Sequence, residues 1–325
     1  MSRRYPFPSY PNGWFAVGLS GDLPAGGSLT CRAFGQELVL FRTEAGAAFA
    51  LDAYCPHLGA HLGRGGRVCG DSFRCPLHGF RYDGQGHCVG TSQGGPAVAG
   101  LRIGTWPLRE RNGLLLVWHH AEGRPPQWEV PVLDAAEWSA MRVERVDVRT
   151  HPQEVTENSI DLTHFSELHG YEAVRVVDPP SLDGPCLRAA FASSRSVESL
   201  GTAGRAEFVF RVEVWGLGYV CVEAVDSVFG VRSRQFALAT PLDDERVTLR
   251  LAASIVRFAD PALTERILGL FFRGFISDLR QDIPIWENKR YVEAPALTRA
   301  EGILGAYRHW ARQFYSAPGD AAATA

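Results

Sequence analysis

Two pairs of metal-ligating side chains lie close together in the stretch CPHLGAHLGRGGRVCGDSFRCPLHG. One residue separates Cys55 from His57, two residues separate Cys75 from His78, and glycine is frequent between the pairs. Thiolate and imidazole groups at such spacings bind structural zinc, so a Cys2His2 zinc site is one interpretation. A disulfide framework is disfavoured, because the chain has an odd number of cysteines, seven, and we expect a reducing, cytoplasmic environment.

The distribution of the four residues favours an iron–sulfur centre over zinc. Zinc fingers usually place both cysteines in one loop and both histidines on a helix, whereas each loop here contributes one of each, in the sequences CPH and CPLHG. In a Rieske [2Fe–2S] centre, two cysteines bind one iron and two histidines bind the other. The sequence therefore predicts Cys55, His57, Cys75 and His78 as the ligands of a Rieske cluster.

A second group of possible ligands follows in TENSIDLTHFSELHGY. His164 and His169, with a carboxylate from elsewhere, would form a two-histidine, one-carboxylate triad that leaves open positions on Fe(II) for O2. Residues i and i+5 of a regular helix point well apart, so joint ligation requires a π-bulge or a kink between the histidines. Two unrelated histidines on a polar helix face are the alternative. For the carboxylate, Asp278 and Asp282 are four residues apart on one helix face, and periodicity does not choose between them.

Composition limits the possible functions. A chain of 325 residues, 46% hydrophobic and 21% charged, can bury one large core or two ordinary ones. The net charge of -3 gives no electrostatic argument for nucleic acid as a partner. The N-terminus has no apolar run like that of a signal peptide, and the apolar residues 267–276 are too few to span a bilayer. We therefore expect a cytoplasmic protein.

The elements around the first ligand group predict a small all-β domain. Residues 35–54 form two short strands around a turn that contains Gly46, and further short strands continue through both ligand loops. Residues 113–119 form a buried strand, and a Pro-rich linker follows near residue 130. We predict that residues 1–135, including an N-terminal segment, form this Rieske domain.

The remaining chain predicts a second domain that contains an antiparallel sheet and helices. Helical character follows Pro152, half-buried strands alternate over 205–214, 232–239 and 246–258, and helices cover 261–290 and 298–315. Pro284 is expected to kink the first of these late helices or divide it in two. The prediction is an α+β chain whose second domain, residues 136–316, is a sheet wrapped by helices. A disordered tail is predicted for residues 317–325.

Together the two motifs resemble those of Rieske non-haem iron oxygenases over nearly the whole chain. The second motif, E-N-x-x-D-x-x-H-x-x-x-x-H, reads as Glu157, Asn158, Asp161, His164 and His169. The resemblance implies a helix-grip domain in which these two histidines and Asp282 bind mononuclear Fe(II). Asp282 is chosen because QDIPIW resembles the sequence around the family's third ligand, and Asp278 is the fallback.

The resemblance also implies how electrons reach the iron. Asp161 matches a carboxylate that accepts a hydrogen bond from His164 and contacts a cluster histidine of the neighbouring subunit, at the position of His78. That contact implies a head-to-tail homotrimer. Electrons would come from NAD(P)H through a separate reductase or ferredoxin, because the chain has no G-x-G-x-x-G loop of its own.

The sequence further resembles the steroid and sterol branch of the family. Stretches such as GWFAVGLSGDL and QDIPIWENKRY are similar to those of 3-ketosteroid 9α-hydroxylase oxygenase components and cholesterol 7-desaturases. This implies hydroxylation or desaturation of a small, bulky hydrophobic substrate. Two alternatives stay open: a Rieske oxygenase that acts on an aromatic or natural-product substrate, by hydroxylation or demethylation, and a non-catalytic Rieske electron carrier.

Overall fold

The computed structural model describes residues 4–92, 95–196, 204–227 and 230–316. Contacts divide the chain into two compact units: Trp14–Val132 forms one, and the residues up to Gly13 join those from Leu133 onward in the other. The sequence had instead assigned the N-terminal segment to the first domain. Aromatic packing accounts for the difference, because the Phe7 ring lies 4.7 Å from His151 and 4.9 Å from Tyr291, both in the second unit. The predicted tail, residues 317–325, lies outside the described residues.

The first unit consists of short antiparallel strands in three sheets, with the orders β1-β11-β10, β2-β3-β4-β9 and β5-β6-β7-β8. The strands are β1 (Gly13–Leu19), β2 (Ser28–Ala33), β3 (Gln36–Arg42), β4 (Ala48–Asp52), β5 (Arg67–Cys69), β6 (Ser72–Arg74), β7 (Arg81–Tyr82), β8 (Cys88–Gly90), β9 (Thr105–Trp106), β10 (Leu108–Arg111) and β11 (Leu114–His119). The hairpin predicted around Gly46 is β3–β4, and the predicted buried strand is β11. The all-β prediction for this region is confirmed.

The second unit is built on one seven-stranded antiparallel sheet in the order β12-β18-β17-β16-β15-β14-β13. The strands are β12 (Arg142–Val148), β13 (Glu172–Asp183), β14 (Cys186–Ser196), β15 (Arg205–Trp215), β16 (Tyr219–Asp226), β17 (Arg232–Pro241) and β18 (Val247–Ile255). The helices are α1 (Pro152–Asn158), α2 (Leu162–Glu167), α3 (Pro261–Asn288) and α4 (Gly302–Ala311). The predicted α+β class, an antiparallel sheet with few helices, is confirmed.

Helix α3 packs on the sheet through one continuous core. Leu249 and Leu251 of β18 share a buried cluster with Ile276 and Trp286 of α3. The helix runs unbroken through Pro284, so this proline does not divide it, and a kink at Pro284, the other expected outcome, stays a prediction. Proline removes one intrahelical hydrogen bond, and the packing on both sides of it keeps the helix on the sheet. Within the described residues, no helix combines the length and the apolar character needed to cross a membrane.

The segment before the sheet's first hairpin forms two short helices instead of one. Helix α1 ends at Asn158, and α2 begins after Asp161, whose side chain accepts hydrogen bonds from the backbone amides of Thr163 and His164. Aspartate at this position satisfies amides that have no partner within the helix. The break places the polar face of α2 beside α3, which carries the two candidate carboxylates.

Candidate metal centres and their cavity

The two loops of the first unit have the same backbone design. In each, the cysteine carbonyl accepts a hydrogen bond from the amide four residues later: from Gly59 to Cys55 at 2.8 Å, and from Gly79 to Cys75 at 3.1 Å. Both glycines have positive φ, 73° and 67°, a conformation that side chains with a Cβ rarely adopt. Each loop therefore turns tightly after its cysteine and carries its histidine at the tip.

The side chains of these loops divide into a buried and an exposed pair. Cys55 and Cys75 are each only 2% exposed, whereas His57 and His78 are exposed and their ring centroids lie 5.0 Å apart. Burial raises the pKa of the Tyr82 phenol, which keeps its proton and lies 3.1 Å from the Cys55 sulfur. Two buried thiols and two exposed imidazoles fit a Rieske cluster with its cysteine-bound iron inside and its histidine-bound iron at the surface.

In the second unit, two histidines and one carboxylate converge. His164 Nε2 lies 4.0 Å and His169 Nε2 lies 3.5 Å from the same oxygen, Oδ1, of Asp282. One ligand atom from each residue falls within 4.8 Å of the others, and His169 and Asp282 are buried. Two imidazoles and a carboxylate at these separations fit the donor set of a mononuclear iron site that keeps positions open.

The histidines meet because helix α2 ends between them. Helix α2 ends at Glu167, Leu168 is its C-cap, and Gly170 has φ +68°, so His169 lies in the turn that leaves the helix. The π-bulge or kink expected from the five-residue spacing is therefore replaced by a helix end. A turn also brings the two imidazoles together, because residues beyond the helix end no longer follow the helical rotation of about 100° per residue.

Hydrogen bonds distinguish the two candidate carboxylates. Arg195 Nη1 donates to both oxygens of Asp278, at 3.0 and 2.9 Å, and the Tyr171 hydroxyl donates to its Oδ2 at 3.1 Å. The Asn158 amide donates to Oδ1 of Asp282 at 3.0 Å and turns that carboxylate toward the histidines. Asp278 is thus engaged in a polar cluster of its own, and the geometry favours Asp282 as the ligand.

Asp161 contacts His164 differently from the way the sequence predicted. The His164 Nδ1 atom lies 2.5 Å from the backbone carbonyl of Asp161, whereas the nearest carboxylate oxygen, Oδ2, is 4.0 Å away. Oδ1 is occupied in capping helix α2, at 3.1 Å from the amide of Thr163. The carbonyl rather than the carboxylate of Asp161 therefore orients His164.

Electrostatics at the triad follow from burial and from Asp282. Burial lowers the pKa of His164, which favours the neutral imidazole that metals bind. Burial acts in the same direction on His169, but the Asp282 carboxylate outweighs it and raises that pKa. Glu157, which belongs to the motif, is not in the triad: it forms an ion pair with Arg308 at 2.7 Å.

A cavity of about 110 Å³ adjoins the triad. His164, His169 and Asp282 lie on its wall, and most of the remaining lining is apolar, including Phe165, Phe191, Phe210, Val212 and Val220. Sequence reasoning missed the apolar lining residues and the polar Tyr171 and Gln235, because they come from helix α2 and from strands and turns scattered along the second unit. Their only signal was the alternation within single strands, which does not say which face lines a cavity.

Comparison with known proteins agrees with both metal centres. Residues 13–106 match the Rieske [2Fe–2S] domain, and residues 117–315 match the 3-ketosteroid 9alpha-hydroxylase C-terminal domain. A cholesterol 7-desaturase of Bombyx mori is 32% identical over 95% of this chain and 70% of its own length. A 3-ketosteroid-9-alpha-monooxygenase oxygenase component of Rhodococcus rhodochrous is 27% identical over 94% of this chain and 84% of its own length.

Solved structures share the fold. Dicamba monooxygenase bound to dicamba superposes with a TM-score of 0.75 at 18% identity, covering 93% of this chain and 96% of that one. NdmA of Pseudomonas putida CBB5 with caffeine superposes with a TM-score of 0.73 at 19% sequence identity, covering 92% of this chain and 89% of that one.

A Rieske cluster domain followed by a histidine–carboxylate iron site on an antiparallel sheet defines an oxygen-activating oxidoreductase. The chain belongs to the Rieske non-haem iron oxygenases, in the group that carries the 3-ketosteroid 9alpha-hydroxylase C-terminal domain. The predicted family and its two cofactors, a [2Fe–2S] cluster and a mononuclear iron, are confirmed.

Proposed function

We propose that this protein hydroxylates or desaturates a steroid or sterol with O2 and two externally supplied electrons. The observation that carries the proposal is the convergence of His164, His169 and Asp282 on one wall of a largely apolar cavity. An apolar wall suits a polycyclic hydrocarbon, because burial of apolar surface supplies most of the binding free energy. The names of the relatives, cholesterol 7-desaturase and 3-ketosteroid-9-alpha-monooxygenase, support the same substrate class.

We assign the metal ligands as follows: Cys55, His57, Cys75 and His78 hold the cluster, and His164, His169 and Asp282 hold the iron. The cluster delivers single electrons, and the iron supplies the site at which O2 is activated. Asn158 fixes the carboxylate of Asp282 by its 3.0 Å hydrogen bond. The carbonyl of Asp161 accepts the Nδ1 proton of His164, which leaves Nε2 as the donor toward the metal.

We further propose that residues 14–132 form the electron-transfer domain and accept electrons from a separate NAD(P)H-dependent reductase or ferredoxin. Arg67, Arg74 and Arg81 face one another in register across β5, β6 and β7, and none has a carboxylate partner in the described chain. Like charges directly opposite one another are unfavourable without a counter-charge. Beside the exposed His57 and His78, this row supports an acidic electron-donor protein as the partner.

The proposed assembly is a head-to-tail homotrimer in the cytoplasm. Among the described residues Oδ2 of Asp161 has no hydrogen-bond partner, which supports an intersubunit bridge, because the exposed His78 of one subunit could donate to it in the next. Ring closure of a heterologous interface repeats that contact three times. None of the seven cysteines is in a disulfide, which supports a reducing compartment.

The small size of the cavity supports a second candidate, a compact aromatic substrate. Ligand sites commonly have volumes of about 300–1,000 Å³. The 110 Å³ cavity is smaller, so a four-ring steroid requires movement of side chains such as Phe165 or Phe210, whereas a single aromatic ring requires less. The two candidates predict different products from one substrate panel.

Turnover with a panel of steroids, sterols and aromatic acids tests the proposal. The purified protein is supplied with NADH, a surrogate reductase and ferredoxin, and products are identified by mass spectrometry. We expect oxidised steroid from the wild type and none from Asp282→Ala, which serves as the matched control for uncatalysed oxidation. Conversion of the aromatic acids alone would contradict the steroid assignment, and no conversion by a protein with both metals loaded would contradict the function.

A further inference from the structure

A half-buried polar cluster lies in the wall of the same cavity. It consists of Tyr171, just before β13, Arg195 of β14 and Asp278 of α3. Arg195 pairs with both oxygens of Asp278, and its guanidinium carbon lies 5.0 Å from the centre of the Tyr171 ring. Tyr171 and Asp278 both line the cavity. The position of the cluster in a largely apolar wall suits contact with a polar group of the substrate.

The hydrogen-bond chemistry of the cluster fixes the direction of the tyrosine proton. The Tyr171 hydroxyl is the hydrogen-bond donor to Oδ2 of Asp278. An ionised carboxylate can only accept, and Arg195 Nη1, which donates to both oxygens of Asp278, favours that ionised form. The Tyr171 proton therefore points to Oδ2 of Asp278, at 3.1 Å. Arg195 also hydrogen-bonds to the phenol oxygen, so the remaining acceptor position of that oxygen is what Tyr171 can offer to a ligand.

The surroundings make this oxygen a selective contact. The Tyr171 ring lies 5.8 Å from Phe165 and 5.9 Å from Phe210, so no neighbouring ring offers an alternative polar partner. Asp278 precedes Asp282 by four residues, about 6 Å along the axis of α3 at the usual helical rise. A group bound at Tyr171 is therefore held about one helical turn from the iron ligands, a separation that fits within one steroid nucleus.

We propose that Tyr171 is an acceptor subsite that selects a hydroxyl-bearing steroid over the corresponding ketone. The inference rests on the proposed function and specifies the substrate within it. A hydroxyl donates its hydrogen to the phenol oxygen, whereas a ketone brings a second acceptor against it. To donate a hydrogen bond to a ketone oxygen, the Tyr171 hydroxyl must give up its hydrogen bond to the charged Asp278. A hydrogen bond of that kind corresponds to about a 10- to 150-fold difference in affinity.

A matched pair of ligands tests the subsite. 5α-Androstan-3β-ol and 5α-androstan-3-one differ only in the oxygen function, and both are supplied in cyclodextrin to the fully metal-loaded protein. Dissociation constants are measured for each, and the ratio of products is measured in competition. We expect the wild type to favour the alcohol by at least 10-fold. In Tyr171→Phe the preference should fall below about threefold, mainly through weaker binding of the alcohol.

Two further variants complete the design. Tyr219→Phe also removes a tyrosine hydroxyl from the sheet, but Tyr219 lies on the face of β16 opposite the cavity-lining Val220. This control variant should therefore keep the wild-type preference for the alcohol. Asp278→Asn removes the carboxylate that accepts the Tyr171 proton and should reduce the preference for the alcohol over the ketone. A wild-type ratio near one, or an unchanged ratio in Tyr171→Phe, would overturn the inference while leaving a steroid oxygenase intact. If neither steroid binds, the steroid proposal itself fails, and the subsite fails with it.

Discussion

Replacement of Asp161 by asparagine separates the structural role of this residue from its proposed electronic one. In the wild type, Oδ1 caps helix α2, Oδ2 makes no close contact with His164, and the backbone carbonyl orients that histidine. Asparagine keeps the cap oxygen and the carbonyl and removes only the negative charge. Alanine keeps the carbonyl but removes the cap as well. The two variants therefore differ in stability, and both lose the proposed bridge.

The expected magnitudes follow from these contacts. Asparagine and aspartate are comparable helix caps, so Asp161→Asn should unfold within a degree or two of the wild type, whereas alanine costs about 0.5–2 kcal/mol. Iron binding should change by no more than a few-fold in either variant, because the carbonyl that holds His164 at 2.5 Å is retained. Loss of residues that support metal ligands typically reduces activity about 10- to 100-fold. We expect at least that loss in Asp161→Asn, since the charge lies on the proposed electron path.

Single-turnover mixing provides the assay. Each protein is reduced with dithionite, freed of reductant and mixed with O2 and substrate, while cluster reoxidation is followed optically and product is quantified. Asp161→Asn should have a reducible cluster, a filled iron site and almost no product. Reoxidation of its cluster at the wild-type rate would refute the bridge. A loss of iron together with activity would instead assign Asp161 a role in holding the metal.

Three further predictions test the remaining assignments. Cys75→Ser should abolish the visible and EPR signals of the Rieske cluster, because a thiolate holds one of its irons; an unaltered spectrum would remove Cys75 from the ligand set. Asp282→Asn should lose the mononuclear iron, whereas Asp278→Asn should retain it, and metal analysis showing the reverse would exchange the two roles. Burial lowers the pKa of His151 to about 3, so the folded state excludes a proton that the unfolded chain binds below pH 6.5. The free energy of unfolding should therefore fall by up to about 1.4 kcal/mol per pH unit as the pH decreases from 6.5 to 4. Asparagine at position 151 can still cap α1, so His151→Asn should lose only this contribution to the pH dependence of the unfolding free energy, as measured by denaturant titrations at several pH values. Equal slopes in both proteins would contradict the assignment.

The cluster loops could be predicted from the sequence because their chemistry is local. Cysteine, histidine and glycine occur within a few residues of one another, and the positive φ of Gly59 and Gly79 is what such tight loops require. The edges of the α+β fold were harder to predict. Strand β13 is exposed along most of its length and contains Pro179 and Pro180, so it lacks the alternation that identifies a half-buried strand.

The iron site depended on contacts that no local pattern encodes. Asp278 and Asp282 share a helix face, and it is distant residues that distinguish them: Arg195, 83 residues before Asp278, and Tyr171 engage Asp278. The end of helix α2 between the histidines was equally hidden, because Leu168 and His169 could continue a helix as far as propensity is concerned. Tertiary packing decided both points.

Iron and acid-labile sulfide content of the wild type and of His164→Ala tests the central claim most directly. An oxygenase with both centres contains about three irons and two sulfides per chain, two of the irons in the cluster and one in the triad. We predict that value for the wild type, and about two irons with an unchanged Rieske spectrum for His164→Ala. Two irons per chain in both proteins, after reconstitution with Fe(II), would contradict the account and leave an electron carrier.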